Sequence, residues 1–289
     1  MNSICIKARA KINLSLDVLR KREDGYHDVE MIMQSIRLHD KVFLEPVEEK
    51  CIKISCDKRW VPSNSDNIAY KAAKALMDKF DLQKGVDIKI VKNIPVAAGL
   101  AGGSADAAAV LRGMNELFSL DLKQEELMQL GKEIGADVPF CLKGGTMLAE
   151  GIGEVLTDIR PLKNVYIVLV KPRISVSTAW VYENLEIERI KLRPDTEALI
   201  RMIERMDIQN LGNNMINVLE AVTIKKHKII FEIKEKLVRL GAFGSMMSGS
   251  GPTVFGIFES KLVAHRAYEE INRDDRWKCI FTETFCEER

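Results

Sequence analysis

From Ile4 to Val18 the chain alternates almost without error. Ile4, Ile6, Ala8, Ala10, Ile12, Leu14, Leu16 and Val18 are apolar, and Cys5, Lys7, Arg9, Lys11, Asn13, Ser15 and Asp17 separate them. A period of two marks a strand with one buried face. The run is longer than an ordinary strand, so the pattern predicts a bulge or break inside it. The charged stretch Arg20–Tyr26 then turns around Asp24-Gly25, and Val42–Leu44 and Ile52–Ile54 read as short strands. Ser63–Asn67 offers a helix cap, after which Ile68, Ala72, Ala75 and Leu76 fall at helical spacing. Val86, Ile88 and Ile90 alternate again as a strand. Ala107, Leu111, Met114 and Phe118 mark a helix over Ser104–Phe118, and Leu127, Leu130 and Ile134 mark another over Gln124–Ile134, which Gly135 is placed to end.

Tyr166–Val170 is an uninterrupted apolar run, a buried strand stopped by Pro172. Ile230, Ile233, Leu237 and Leu240 form a helical stripe up to Gly241, and Gly244–Phe258, Leu262–Ile271 and Lys278–Phe285 read as hairpin, helix and strand. Strands and helices mix without a regular βαβ rhythm, which predicts an α+β fold. Glycine and proline between Gly151 and Leu162 predict a boundary there. The expected domains are 1–155 and 156–289, with the last strand a candidate to pack back on the first.

Composition narrows the class of partner. The 289 residues suffice for one large domain or two medium ones, and 46% hydrophobic with 29% charged residues fits a globular protein. The net charge of +1 gives no electrostatic case for nucleic acid or membrane. The basic run Lys225-Lys226-His227-Lys228 reads as a solvated helix face. The opening MNSICIKARAK has no signal-peptide pattern, and no apolar run approaches the ~20 residues of a membrane span. The six cysteines form no CxxC pair and have no histidine at ligand spacing. They are expected to be reduced and packed, in a cytoplasmic protein with no protein-built metal site.

Chemistry concentrates in Pro95–Ala107, PVAAGLAGGSADA. Gly99, Gly102 and Gly103 let backbone close around phosphate oxygens just before a helix, whose first N–H groups are unpaired and carry partial positive charge. Ser104 adds a hydroxyl and is expected to cap that helix. The stretch is neither a GxxxxGK[ST] loop nor a GxGxxG fingerprint. A helix start with close packing would use the same residues.

This loop resembles the central phosphate loop of the GHMP kinases, the superfamily named for galactokinase, homoserine kinase, mevalonate kinase and phosphomevalonate kinase. ARAKINLSL (Ala8–Leu16) and MSGSGPTVF (Met247–Phe255) resemble its other two motifs, in the same order. AKINL, DGYH (Asp24–His27), GADVPF (Gly135–Phe140) and AEGIGE (Ala149–Glu154) are similar to the branch that acts on 4-diphosphocytidyl-2-C-methyl-D-erythritol. The resemblance runs from about Ala8 to about Phe258, and Leu185–Ile224 carries no recognised motif. It implies a two-domain α+β fold with the active site in the interdomain cleft. It also implies transfer of the γ-phosphoryl of ATP to the 2-hydroxyl of that substrate, in the non-mevalonate route to isoprenoid precursors.

The resemblance assigns ATP to Lys92, Pro95, Ala98, Gly99, Leu100, Ala101, Gly102, Gly103 and Ser104. It makes Asp137 the base and Lys11 the residue that keeps it ionised and stabilises transferred charge. Val138 precedes Pro139 and is expected to be extended, so that the Asp137 carboxylate projects from a loop. Asn13 is expected to hold the acceptor alcohol. Tyr26 stacks on the cytosine, His27 hydrogen-bonds it, and Tyr182 forms a second aromatic wall. Ser248, Gly249, Ser250 and Gly251 border phosphates and acceptor, or form only a hairpin turn. Mg²⁺ is expected with ATP, held mainly by phosphates and water; Glu150 and Glu154 are present but not assigned. Two other readings use part of the pattern: a superfamily kinase for homoserine or mevalonate, and a non-catalytic ligand-binding member. DGYH and GADVPF weigh against the first, and Lys11 with Asp137 against the second.

Overall fold

A computed structural model describes residues 3–287. Its fold is α+β, and the chain divides into two compact units. The first comprises residues 3–10, Leu38–Val96 and Ala101–Lys143; the second comprises Lys11–Arg37, Ala97–Leu100 and residues 144–287. The strands β1 (Ile4–Lys21) and β2 (His27–Val47) pair with each other, and each passes from one unit into the other.

No break interrupts β1. Burial changes instead: residues 4–9 alternate in exposure, whereas residues 10–18 are all buried. The polar face that alternation would turn to water is covered, and its side chains have partners. Ser15 Oγ accepts from the Ile32 N–H at 3.1 Å, and Asp17 Oδ1 takes Arg193 Nη1 at 2.5 Å. Covered polar groups demand such partners, because an unpaired one costs about 1–3 kcal/mol. The strand therefore has one apolar face and one face that is a buried polar network.

In the first unit, β3 (Ile52–Cys56), α1 (Ile68–Lys79), β4 (Gly85–Val91), α2 (Gly102–Leu117), α3 (Gln124–Ile134) and α4 (Val138–Lys143) complete the set. β4 pairs antiparallel with β2 from Lys41↔Val91 to Val47↔Gly85 and parallel with β3. Asn67 caps α1, its Oδ1 accepting the Ala69 N–H at 2.9 Å. The α3 bounds are those the spacing predicts, and Gly135 ends it. Val138 is not extended: it begins α4, and Pro139 lies in the first turn. A helix's first N–H groups lack partners in any case, so proline's missing donor costs little there.

The second unit adds β5 (Thr146–Glu150), β6 (Val155–Asp158), β7 (Tyr166–Pro172), α5 (Thr178–Glu183), α6 (Thr196–Glu204), α7 (Ile208–Asn214), α8 (Glu220–Lys226), α9 (Ile229–Arg239), β8 (Gly244–Met247), β9 (Val254–Phe258), α10 (Lys261–Asn272) and β10 (Trp277–Glu283). An antiparallel four-stranded sheet runs β10-β7-β9-β8. α9 and α10 pack on it through Ile230, Ile233 and Leu237, and through Ala264, Ala267 and Ile271. β5 pairs with β2 from Met31↔Ala149 to Gln34↔Thr146, and with β6. All six cysteines are unbridged thiols. Among the described residues no helix is long and apolar enough to cross a membrane.

Candidate functional site

Three stretches meet in the second unit. Lys11 and Asn13 are two apart on β1 and share its buried polar face. Lys11 Nζ donates to Asn13 Oδ1 at 2.8 Å, and Asn13 Nδ2 lies 3.1 Å from Met31 Sδ. The Lys11 N–H donates to the Leu100 carbonyl at 3.2 Å, which fastens the glycine loop to the strand. Gly99 has φ +72°, and a Cβ there would overlap the Ser248 carbonyl oxygen. Only glycine meets both conditions. Ser248 Oγ donates back to the Gly99 carbonyl at 2.8 Å. A Cβ on Gly249 would lie 3.4 Å from the Gly99 oxygen and 3.7 Å from Asn13 Oδ1. Ser250 Oγ is 2.8 Å from Thr178 Oγ1, and the Gly251 N–H closes the turn on the Ser248 carbonyl at 2.9 Å. Ala98, Gly99, Leu100, Ser248, Gly249, Ser250 and Gly251 thus gather beside Lys11 and Asn13.

The aromatic residues lie in the same unit. His27 opens β2 and Tyr182 lies on α5, their ring centroids 5.0 Å apart and tilted by 37°. Burial, helped by Lys21, lowers the His27 pKa below its usual 6.5. The imidazole is therefore neutral at pH 7, with one donor and one acceptor nitrogen. Tyr26 lies one residue earlier on the turn and is 61% exposed. Its N–H donates to Asp24 Oδ1 at 3.0 Å, and Arg22 bridges Asp24 and Asp28 at 3.0 and 3.2 Å.

The first unit holds the other half of the glycine loop. Ala101 stands at the N-cap of α2 with φ +54° and offers no side-chain cap. Ser104, expected as the cap, is the third residue of the helix instead. The first intrahelical bond runs from the Ala105 N–H to the Ala101 carbonyl at 2.9 Å. The N–H groups of Gly102, Gly103 and Ser104 therefore have no partner within the helix. A 16-residue helix with alanine at its N-cap presents these donors and its dipole at its start. Pro95 is buried.

Lys92 is buried beside the same helix start. Its Nζ is 2.5 Å from Asp40 Oδ2, 2.6 Å from Asp106 Oδ2 and 3.4 Å from the Gly102 carbonyl. Its charge is thus committed to two carboxylates within the fold, and it touches the loop through Gly102. Burial alone would lower the Lys92 pKa, but Asp106 and Asp40 outweigh it and the pKa rises. Two carboxylates around one ammonium leave an excess negative charge, and burial pushes Asp106 up to about 7 against the pull of Lys92. The folded protein then holds a proton that the unfolded chain, with Asp106 at its ordinary 3.8, has already lost. That stability is complete below about pH 4 and is lost as the pH rises through 7, at about 1.4 kcal/mol per unit. Asparagine mimics the protonated acid. In urea melts from pH 4.5 to 8, wild type should lose stability relative to Asp106→Asn as pH rises; parallel curves would mean Asp106 is ionised throughout.

Asp137 sits half-buried immediately before α4, its carbonyl accepting the Cys141 N–H at 3.0 Å. Its backbone thus starts the helix, and its side chain is not needed for that bond. Sequence reasoning missed Asn217 and Glu220. Asn217 Nδ2 donates to the Met247 and Gly249 carbonyls, each at 2.8 Å, and Glu220 Oε1 accepts the Met247 N–H at 2.7 Å. Their signal was an asparagine and a glutamate three apart at the start of a helix, a spacing that resembles a cap.

Residues 67–145 match the GHMP kinases N terminal domain, and residues 194–275 match GHMP kinases C terminal. The chain is 61% identical over 284 residues to the 4-diphosphocytidyl-2-C-methyl-D-erythritol kinase of Acetivibrio thermocellus, covering 98% of this chain and 100% of that protein. It is 55% identical to the Clostridium novyi kinase of the same name, covering 91% and 94%. It is similar to a crystal structure of 4-(cytidine 5'-diphospho)-2C-methyl-D-erythritol kinase, with a TM-score of 0.83, 31% identity and coverage of 98% and 100%. A Cytophaga hutchinsonii homoserine kinase shares the fold at 18% identity, with a TM-score of 0.78 and coverage of 99% and 95%.

Proposed function

Because the chain belongs to the 4-diphosphocytidyl-2-C-methyl-D-erythritol kinases, a branch of the GHMP kinases, we propose a division of its phosphoryl transfer among the motifs described above. The protein is an ATP-dependent phosphotransferase that phosphorylates an alcohol of 4-diphosphocytidyl-2-C-methyl-D-erythritol in isoprenoid precursor synthesis. The acceptor is the 2-hydroxyl.

Phosphoryl transfer asks for positioning and charge stabilisation more than covalent chemistry. The ATP phosphates lie on the uncapped start of α2, against the Gly102, Gly103 and Ser104 N–H groups and the Ser104 hydroxyl. The loop from Pro95 through Ala98, Gly99, Leu100 and Ala101 shapes the approach. Lys92 serves ATP from beneath, by holding Gly102 in place. Asp137 accepts the alcohol proton, Lys11 balances the transferred charge, and Asn13 orients the acceptor. Tyr26 and Tyr182 offer aromatic faces to the cytosine, and neutral His27 reads its polar edge. Ser248, Gly249, Ser250 and Gly251 border the phosphates and the acceptor. Mg²⁺ enters on the nucleotide and supplies positive charge to the phosphate oxygens. The ion is taken to be held mainly by the phosphates and water. The reaction is placed in the cytoplasm, where thiols stay reduced.

The observation that carries this reading is the meeting of Lys11 and Asn13 with Gly99, Leu100, Ser248 and Gly249. Its test is ATP-dependent ADP release with 4-diphosphocytidyl-2-C-methyl-D-erythritol, homoserine and mevalonate. Turnover is expected with the cytidyl substrate alone, and Tyr26→Ala should raise its KM about tenfold. An unchanged KM would remove Tyr26 from the cytosine site; turnover only with another alcohol would remove the cytosine site altogether.

A further inference from the structure

We propose that Asn217 and Glu220 are positioning residues for the phosphoryl transfer, acting through the Ser248–Gly251 turn; this rests on the reading of that turn given above. Met247 is the last residue of β8, and β8 stands at the end of the strand order. The Met247 N–H and carbonyl are both held by side chains of one short segment: Glu220 Oε1 takes the N–H, and Asn217 Nδ2 gives one proton to the carbonyl. The second Nδ2 proton goes two residues on, to the Gly249 carbonyl inside the turn. Asn217 Oδ1 accepts the Leu219 N–H at 3.0 Å. Both amide donors and the amide oxygen are therefore engaged, in a side chain only 3% exposed.

The segment is tied to the strand that bears Lys11 and Asn13. The Leu16 N–H donates to the Ile216 carbonyl and the Val218 N–H to the Leu16 carbonyl, each at 2.9 Å. Glu220 Oε2 is paired with Lys234 of α9. The turn thus takes its position from β1 through Asn217 and from α9 through Glu220, and its Ser248 hydroxyl passes that position to the Gly99 carbonyl. Aspartate at 217 would set carboxylate oxygens against two carbonyls. Glutamine at 220 keeps an acceptor for the Met247 N–H, while an amide NH2 replaces the carboxylate oxygen that Lys234 faced. A 1 Å misplacement near reacting atoms costs about 100-fold in rate.

The experiment compares Asn217→Asp, Glu220→Ala, Glu220→Gln and Gly249→Val in ADP release, with melting curves run beside it. Asn217→Asp and Glu220→Ala are expected to lose about 100-fold in kcat while each KM moves less than about fivefold. Glu220→Gln should restore kcat to within about threefold, because the acceptor is kept. If Asn217→Asp does not fold, the two Glu220 variants decide. Normal kcat in Glu220→Ala with a fall in Gly249→Val overturns the bracket that Asn217 and Glu220 form on Met247 and leaves the turn's role intact. Normal kcat in Gly249→Val as well overturns the turn's role and the bracket with it. A lowered melting temperature at unchanged kcat makes the bracket a stabilising contact only, and also overturns the proposal.

Discussion

Asp137→Asn is expected to lower kcat by about 10²–10⁴-fold, the contribution of a positioned general base, the role proposed for Asp137. The acceptor is an alcohol, and its proton must leave as the new O–P bond forms. Asparagine keeps the size and shape of the side chain and cannot take that proton. The substitution keeps the start of α4, where the Asp137 carbonyl accepts the Cys141 N–H, a backbone bond. Single-turnover kinetics at saturating ATP make the check, and each KM should stay within a few-fold of wild type. A normal rate would show that Asp137 orients the alcohol without taking its proton.

Lys11→Met removes a charge and keeps the buried stem. A fall in kcat of about 10²–10³-fold is expected, the usual loss when one donor to developing charge is deleted. Two effects combine. In the role proposed for Lys11 the phosphoryl oxygens lose a cation, and Asn13 Oδ1 loses the ammonium that donates to it at 2.8 Å. Lys11→Arg should not restore the rate, since the side chain is 5% exposed and a planar guanidinium does not fit where a compact ammonium sits. The measurement is kcat and KM for both variants at equal folded fraction. Wild-type kcat in Lys11→Met would leave that lysine as packing alone.

Much of the frame was legible because its signals are local. Asn67 caps α1, Gly135 ends α3, and the Ile230, Ile233 and Leu237 stripe of α9 lies where helical spacing puts it. β2 was not legible beyond Val42–Leu44. Its segment HDVEMIMQSIRLHDK buries Met31, Ile32, Met33, Gln34, Ser35 and Ile36 in unbroken succession, and a strand covered on both faces has no alternation to read. The start of α2 misled in another way. Serine after glycines reads as a cap, yet the helix begins two residues earlier on residues that cap nothing. Lys92 reads as an ATP-binding residue by the family position just before the loop, and nothing near it in the chain announces Asp40 and Asp106. Asn217 and Glu220 were illegible as site residues for the same reason. Their partners are the backbone groups of Met247 and Gly249, 27 to 32 residues away.

The place of β8 at the end of its sheet has a colloidal side. An end strand presents a row of N–H and carbonyl groups on which a strand of another molecule can dock. Here two places on that row are occupied from within the chain, at Gly244 and at Met247. Gly212 of α7 lies so close to Gly244 that a Cβ on either would clash with the other's backbone, and Asn217 and Glu220 occupy both polar groups of Met247. The glycine-to-glycine approach and the two polar side chains together leave less of that edge open to intermolecular strand addition.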